Sequence, residues 1–411
     1  MGKRIIFGFT LFLTLSLLLG YSAGPVYGFY YDNPGEEAFS TTKFELLLPD
    51  VAFGAKNNLF NLENINIDLT QPGAKADFLG QMSKGYFKSD FYSQLKAGLT
   101  IGRFSVHLRP WATGSFRLAP GVPELIFYGY GPAGNDINAT KSYNLTGTKL
   151  NGLAALSLDF KYGHPISLSP ASELGVGVNF RYVQGLAMFH SEVSQGTLVV
   201  NGLGDFTFNT KSRYLYAELP GSDDEDFSPG QLFSNPPGRG FLMDLGVVYN
   251  QDPYRAGLVL KNIGALKWQT VQQGTYEGGG EVKTGPNGPE FDGKDVVSEE
   301  TTLTNYTMTV PIVLQLQGSY RFLKNLYWHV GMETGLADGW GISGSPCLQT
   351  GIEWRPRHLI RLAGDLAYHD RHLNYQALLE LKLLCFWLRF QVGWVDQFNG
   401  VNAAGMFALH F

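Results

Sequence analysis

Along the C-terminal half of the chain, apolar and polar residues alternate with a period of two in one run after another. Between Asn374 and Leu384, the residues Tyr375, Ala377, Leu379, Leu381 and Leu383 share one face, opposite Gln376, Glu380 and Lys382. The next run sets Phe386, Leu388, Phe390, Val392 and Trp394 against Arg389, Gln391 and Gly393. Leu348, Thr350, Ile352 and Trp354 oppose Gln349, Glu353 and Arg355 in the same way, and Ile360, Leu362, Leu366 and Tyr368 oppose Arg361 and Asp365. This period marks a strand with two unlike faces. The runs last about ten residues, which is what a tilted strand needs to cross a bilayer. Strands of soluble sheets are nearer five or six, roughly half that. Many runs end in Trp, Tyr or Phe, as the aromatic girdles of a membrane barrel require.

Short and long connections alternate between the runs. Tight ones fall at Gly102–Arg103, Tyr162–Ser172, Asn250–Pro253, Phe322–Lys324, Pro356–Arg357 and Leu384–Cys385. Long ones fall at 54–91, 118–148, 190–240, 264–306, 336–345, 369–373 and 397–401. Outer-membrane barrels have this asymmetry, with short periplasmic turns and long outer loops. Strict alternation gives fourteen strands, at 43–53, 92–101, 104–117, 149–160, 173–189, 241–249, 254–263, 307–321, 325–335, 346–355, 358–368, 374–384, 386–396 and 402–411. Residues 196–217 also alternate. As an outer hairpin they leave the count at fourteen; as wall strands they raise it to sixteen. The expected fold class is all-β: a transmembrane antiparallel β-barrel over 43–411, preceded by a periplasmic segment or small plug at 25–42.

Composition agrees. Charged residues make up 16% of the chain, against roughly 25% in soluble proteins, yet the mean hydropathy of -0.07 is too polar for a helical membrane bundle. A net charge of -5 without a basic cluster argues against nucleic acid as a partner. Residues 1–24 have the form of a signal peptide, with Lys3 and Arg4, an apolar stretch from Ile5 to Leu19, and small residues for cleavage between 22 and 28. After Leu19 no apolar stretch approaches the length of a membrane helix. The two cysteines, Cys347 and Cys385, form no disulfide framework.

Tyr30-Tyr31-Asp32-Asn33-Pro34-Gly35, followed by Phe44-Glu45-Leu46, resembles the entry motif of the FadL-like outer-membrane family (OmpP1/FadL/TodX and PorV relatives). Met243–Tyr249, Gly257–Gly264 and the closing Phe411 add to the resemblance. Gly35 stands where the family has Ala, and few residues precede the first strand, so the chain reads as a divergent branch with a reduced plug. The resemblance implies fourteen strands and passive carriage of apolar molecules. It also implies a kink in the third strand that opens the wall sideways, for which Pro110 and Gly114 are the candidates here. Pro110 cannot donate to the ladder, so a bulge near the rim is the plainer reading. Pro311 raises the same question in the eighth strand.

The inward positions carry Glu333, Glu353, Arg355, Arg361, Asp365, Glu380, Lys382 and Arg389 among others, with both signs interleaved. Such charges are expected to pair into a lumen network, which favours a plugged interior over an open pore. The 118–148 loop is apolar for an outer loop, with Leu125, Ile126, Phe127, Tyr128 and Tyr130 close to Arg117 and Lys141. It is the candidate ligand groove, with Arg117 or Lys141 facing a carboxylate; otherwise it extends the wall. Phe407, Leu409 and Phe411 alternate to the C-terminus, as an assembly signal for the barrel-assembly machinery would.

No catalytic constellation or metal-ligand spacing is recognisable, so no enzyme activity, cofactor or metal is expected. His369-Asp370-Arg371-His372 and Asp223-Asp224-Glu225-Asp226 read as solvated loops. The leading expectation is passive outer-membrane transport of hydrophobic or amphipathic small molecules such as long-chain fatty acids. The alternatives are a PorV-like structural or secretion-associated barrel whose loops bind a protein partner, and a general porin.

Overall fold

The computed structural model describes residues 33–57, 85–128, 140–201, 205–217, 235–285, 288–337, 339–357, 359–369, 372–395 and 400–411. The signal-peptide candidate, Tyr30–Asp32, Tyr130, Asp223–Asp226, Asp370 and Arg371 lie outside them. In chain order the strands are β1 (Phe44–Asn57), β2 (Phe87–Ile101), β3 (Phe104–Leu118), β4 (Lys141–Asn144), β5 (Lys149–Ser169), β6 (Ser172–Val200), β7 (Phe206–Ala217), β8 (Gly238–Gln251) and β9 (Tyr254–Gly285). There follow β10 (Gly288–Met308), β11 (Val313–Leu323), β12 (Leu326–Gly335), β13 (Cys347–Arg357), β14 (Ile360–His369), β15 (His372–Leu383), β16 (Phe386–Val395) and β17 (Gly400–His410). A 3-10 helix η1 (Pro34–Phe39) precedes the strands, and an α-helix, α1 (Gly121–Tyr128), follows β3.

Fourteen of the strands form a closed antiparallel wall; β4, β7 and β10 stand outside that count. The wall closes where β1 meets β17, from Glu45 opposite His410 to Lys56 opposite Gly400. The Phe44 and Phe411 rings, 6.0 Å apart, lie at the seam. The alternation becomes an inside and an outside that are reversed from those of a soluble protein. On β13, Trp354 is 48% exposed while its neighbour Glu353 is 1% exposed. Exposed apolar residues, among them Leu362, Leu366, Phe390 and Val392, coat the exterior, and buried polar side chains fill the interior. A surface this apolar needs hydrocarbon against it. No helix among the described residues is long and apolar enough to cross a membrane.

At the turn end of the barrel the connections are tight. Gly102 (φ 60°) and Leu384 (φ 55°) take the left-handed backbone that such turns require. β5 and β6 run further than their alternation suggests and leave only a short turn before Ser172. At the loop end, β6 and β9 outrun the wall. β7 pairs with both, β4 adds to β6, and β10 pairs with β9 from Met308–Leu266 to Gly288–Gly285. The result is an outer sheet in the order β4–β6–β7–β9–β10. Residues 196–200 and 206–217 belong to this sheet, which is why the wall has fourteen strands and not sixteen.

Candidate functional site

The barrel is stopped at two levels, with a chamber between. The lower stop is η1, seated inside the turn end against β5, β6 and β8. Asn33 caps it, accepting the Gly35 N–H at 2.9 Å and donating to the Val247 carbonyl at 3.3 Å. Pro34 follows at a first-turn position, where a missing N–H costs nothing. The wall beneath is stripped of side chains. A Cβ on Gly177 would stand 2.0 Å from the Pro34 oxygen, one on Gly246 2.1 Å from Asn33 Oδ1, and one on Gly163 2.3 Å from the Ala38 nitrogen. Glu36 pairs with Arg255, and Glu37 with Lys161 at 3.3 Å. Burial pushes the Glu36 carboxyl above its usual range, and the Arg255 guanidinium opposes that shift.

The upper stop is the connection between β12 and β13, which turns back into the mouth. Gly339 and Ile342 exchange backbone hydrogen bonds at 3.0 and 2.8 Å, and Trp340 (φ 48°) and Gly341 (φ 78°) take left-handed backbone between them. A Cβ on Gly341 would lie 1.8 Å from Thr113 Oγ1, so the loop rests directly on β3. Trp340 and Ile342 pack on a buried apolar cluster that includes Leu153, Met188, Leu242, Leu266, Trp268 and Met308.

Between the stops lies a cavity of about 720 Å³. Trp111, Phe116, Leu215, Leu242, Tyr306, Val310, Trp340 and Ile342 give it apolar surface. Its ionic lining is unbalanced: Lys56, Lys88, Lys96, Arg109, Arg117, Lys149, Lys161, Arg181 and Lys261 face Asp90, Asp159, Asp244 and Glu333. Some charges are paired, as in Arg109–Asp159 at 2.9 Å, Arg181–Asp244 at 2.5 Å and Lys261–Glu333 at 3.6 Å. Lys149 and Lys161 pair with carboxylates outside the lining, Glu192 at 2.7 Å and Glu37 at 3.3 Å.

The candidate lumen residues lie on one arc of the interior. Glu353 binds Arg355 and, at 2.6 Å, Arg361; Glu380 binds Arg361 at 3.5 Å and Arg389 at 3.3 Å. Asp365 meets His329, a partner that sequence reasoning overlooked. Lys382 sits 4.3 Å from the centre of the Trp387 ring. Glu333 belongs to the chamber rather than to this chain of pairs.

Pro110 stays in register with Leu156 of β5, but the ladder to β2 lapses between Trp111–Gln94 and Leu108–Ala97. Gly114 makes room for the Phe91 ring, whose nearest atom would be 2.0 Å from an added Cβ. Arg117 lies 3.6 Å over the Tyr86 ring and lines the chamber. Leu125 packs on Tyr143, Leu198 and Val200 of the outer sheet. Ile126, Phe127 and Tyr128 continue α1 as backbone, and their side chains lie outside the described residues. Lys141 pairs with Glu124 at 3.4 Å. Phe407 stacks on Phe386 at 5.8 Å, and Leu409 lies opposite Leu46 of β1 in the closing seam. Cys347 and Cys385 are both free thiols. Among the described residues no group of three His, Cys, Asp or Glu is placed to hold a metal ion.

A closed fourteen-stranded antiparallel wall with an apolar exterior and a stoppered, polar interior defines the class: a membrane β-barrel. Within that class, residues 34–388 match the model of a family of unknown function, DUF5723, and the chain belongs to it. No curated protein matches the sequence. Among solved structures, the Ralstonia pickettii toluene transporter TbuX is similar at 10% identity and a TM-score of 0.48, covering 94% of both chains. The Pseudomonas putida toluene transporter TodX is similar at 9% identity and a TM-score of 0.43, covering 95% of both. A Pseudomonas aeruginosa FadL homologue is similar at 8% identity and a TM-score of 0.40, covering 95% of this chain and 94% of that one. The FadL-like resemblance in the sequence recurs in these comparisons.

Proposed function

We propose that this barrel carries hydrophobic or amphipathic small molecules passively across a Gram-negative outer membrane, long-chain fatty acids being the class that fits best. The observation that carries the reading is the chamber under the Trp340 loop, with apolar side chains beneath that roof and cationic ones along its side. Such a space suits a molecule with an apolar body and one anionic end better than it suits hydrated ions. Capture falls to α1 and its neighbours, with Ile126, Phe127, Tyr128 and Tyr130 as the apolar contacts and Arg117 for the carboxylate. Release falls to the ladder lapse at Pro110. In this reading residues 1–24 direct export, lipid surrounds the apolar belt, and Phe407, Leu409 and Phe411 present the assembly signal.

The test is native mass spectrometry of the barrel purified in mild detergent. A stoichiometric apolar ligand that disappears in Phe127→Asp supports the reading. The same ligand bound normally by Phe127→Asp would remove α1 from the site, and a bare chain would count against transport. A second reading, a scaffold for a protein partner, is favoured by the outer sheet, whose last strand β10 pairs along its upper length with β9 alone among the described strands. A co-purifying protein in the same spectrum would decide for it.

A further inference from the structure

The outer sheet has two edges, and a strand edge is a row of unpaired N–H and C=O groups that can take another strand. At the β4 edge the chain covers itself. α1 starts directly against that strand, since a Cβ on Gly121 would lie 2.5 Å from both the nitrogen and the oxygen of Asn144. Leu125 of α1 packs on Tyr143, and Lys141 of β4 pairs with Glu124 at 3.4 Å. The β10 edge is different. From Met308 to Gly288 the strand pairs with β9, and no described strand forms a ladder with its other side.

The middle of that edge is regular. Val297 to Thr304 keep unbroken register with Glu277 to Thr270 of β9, and the ladder is disturbed only outside this window, between Lys294 and Val297 and at Asn305 (φ 57°). Pro289 and Pro311, residues that would blunt an edge, both lie beyond it. Thr301, Thr302 and Thr304 favour the extended backbone, and Leu303 anchors the strand by packing on the cluster that holds Val271. Glu299 and Glu300 are exposed and, as neighbours on a strand, belong to opposite faces. The charge on the strand is one-sided. β10 carries Glu290, Asp292, Asp295, Glu299 and Glu300 against Lys294 alone. On β9 beside it, Glu277 pairs with Lys211 at 2.6 Å and Glu281 with Lys283 at 3.3 Å. Among the described residues Glu299 and Glu300 have no such cation; Glu300 accepts only from the Tyr216 hydroxyl, at 3.3 Å. A second copy of β10 laid against this edge would set acid beside acid, which weakens a ladder.

We propose that the β10 edge from Val297 to Thr304 takes an extended basic segment of another protein as one more strand of the outer sheet. The main chain supplies the affinity, as in other strand additions. Glu299 and Glu300 supply the choice, so the incoming strand carries Lys or Arg on both of its faces. The inference rests on the second reading above for the existence of a partner, and adds that partner's chemistry and its seat. It concerns a surface beyond the chamber, so a barrel that carries small molecules can hold such a partner as well.

The probe is a fluorescent octapeptide with paired lysines at each end and threonine and valine between them. One twin has glutamate for every lysine, and another is methylated on its peptide nitrogens, so that it cannot join a ladder. Binding to the full-length barrel in detergent at low salt is read by fluorescence anisotropy. The lysine peptide should bind about tenfold or more tightly than its glutamate twin, as a few cross-strand charge pairs would give, and the methylated peptide should not bind. Glu299→Lys with Glu300→Lys should invert the preference for charge, with heat-shifted gel migration showing that the variant has assembled. A methylated peptide that binds as well as the unmodified one overturns strand addition. Equal binding of the two charge twins, or binding of neither, overturns the edge as the site. Native mass spectrometry of both barrels separates this from the scaffold reading. A protein held by the unaltered barrel and lost from the charge-reversed one, together with the peptide result, supports the edge. A protein held equally by both leaves the scaffold standing and overturns the edge, and no protein on either overturns the scaffold and the inference with it.

Discussion

Substituting Ala for Gly177 tests whether the lower stop is held by backbone contact. The added methyl carbon would stand 2.0 Å from the Pro34 oxygen and 2.2 Å from its carbonyl carbon, both main-chain atoms with no rotamer through which to yield. Strand β6 is fixed on both sides by its ladders, so the movable body is η1. Lifting η1 strains or breaks the Asn33–Val247 hydrogen bond and the Glu36–Arg255 and Glu37–Lys161 pairs. A neutral hydrogen bond is worth about 1 kcal/mol net and one to a charged group about 1.5–3. The pairs are partly exposed, which discounts them, so the docked state should lose on the order of 3 kcal/mol. That is roughly a hundredfold in the docked-to-undocked ratio. Amide hydrogen exchange across 33–39 should accelerate by a similar factor while the wall strands keep their protection. Gly405→Ala is the control, because its added Cβ would meet nothing within 4 Å. Unchanged exchange at 33–39 in Gly177→Ala, with the barrel intact, would refute the reasoning.

Other outcomes follow from the same geometry. Glu353→Ala leaves Arg361 and Arg355 without their shared carboxylate; breaking a buried pair costs about 3–5 kcal/mol, to be read as a lowered midpoint of barrel unfolding in detergent. The raised pKa of Glu36 means that the docked stop binds a proton more tightly than the free segment does. Docking should therefore weaken as pH rises from the carboxylate's ordinary 4.5 through the raised value, and Glu36→Gln should flatten that dependence in exchange experiments at a series of pH values. Deleting Phe411 removes the ring that meets Phe44 at the seam, and the fraction of chains that reach the heat-resistant barrel should fall in a refolding time course.

The wall was legible in the sequence because each crossing strand has one face in an apolar medium and one in a polar interior, so parity alone records it. The outer sheet was not. Its β7 alternates as a wall strand would, with Leu215 and Ala217 in the buried apolar cluster and Phe206 and Phe208 packed against Leu198 and Val200, so parity does not tell the outer sheet from the wall. The lower stop was visible as Asn33-Pro34-Gly35, but its seat was not: Gly163, Gly177 and Gly246 come together only through strand register, and nothing in their separate contexts marks them. The upper stop left a trace in the glycines around Trp340, which a reading for loop length passes over. Of the expected groove, Arg117 reaches the chamber while Leu125 is committed to packing on the outer sheet. The imbalance of charge in the chamber was hidden because the lining cations come from strands far apart in the chain.

From Leu266 to Gly285, β9 continues past the wall with β10 at its side, a ribbon of roughly 60 Å in contour at about 3.3 Å per residue. This ribbon is braced on one side, by β8 as far as Trp268 and by β7 from Gln272 to Val282, while its other side lacks ladder pairs only at the root, at Asn262–Ala265. Load applied to β10 far out along the ribbon would therefore pass through β9 into β7 and β8, and from there into the wall, rather than through the short gap at its own root.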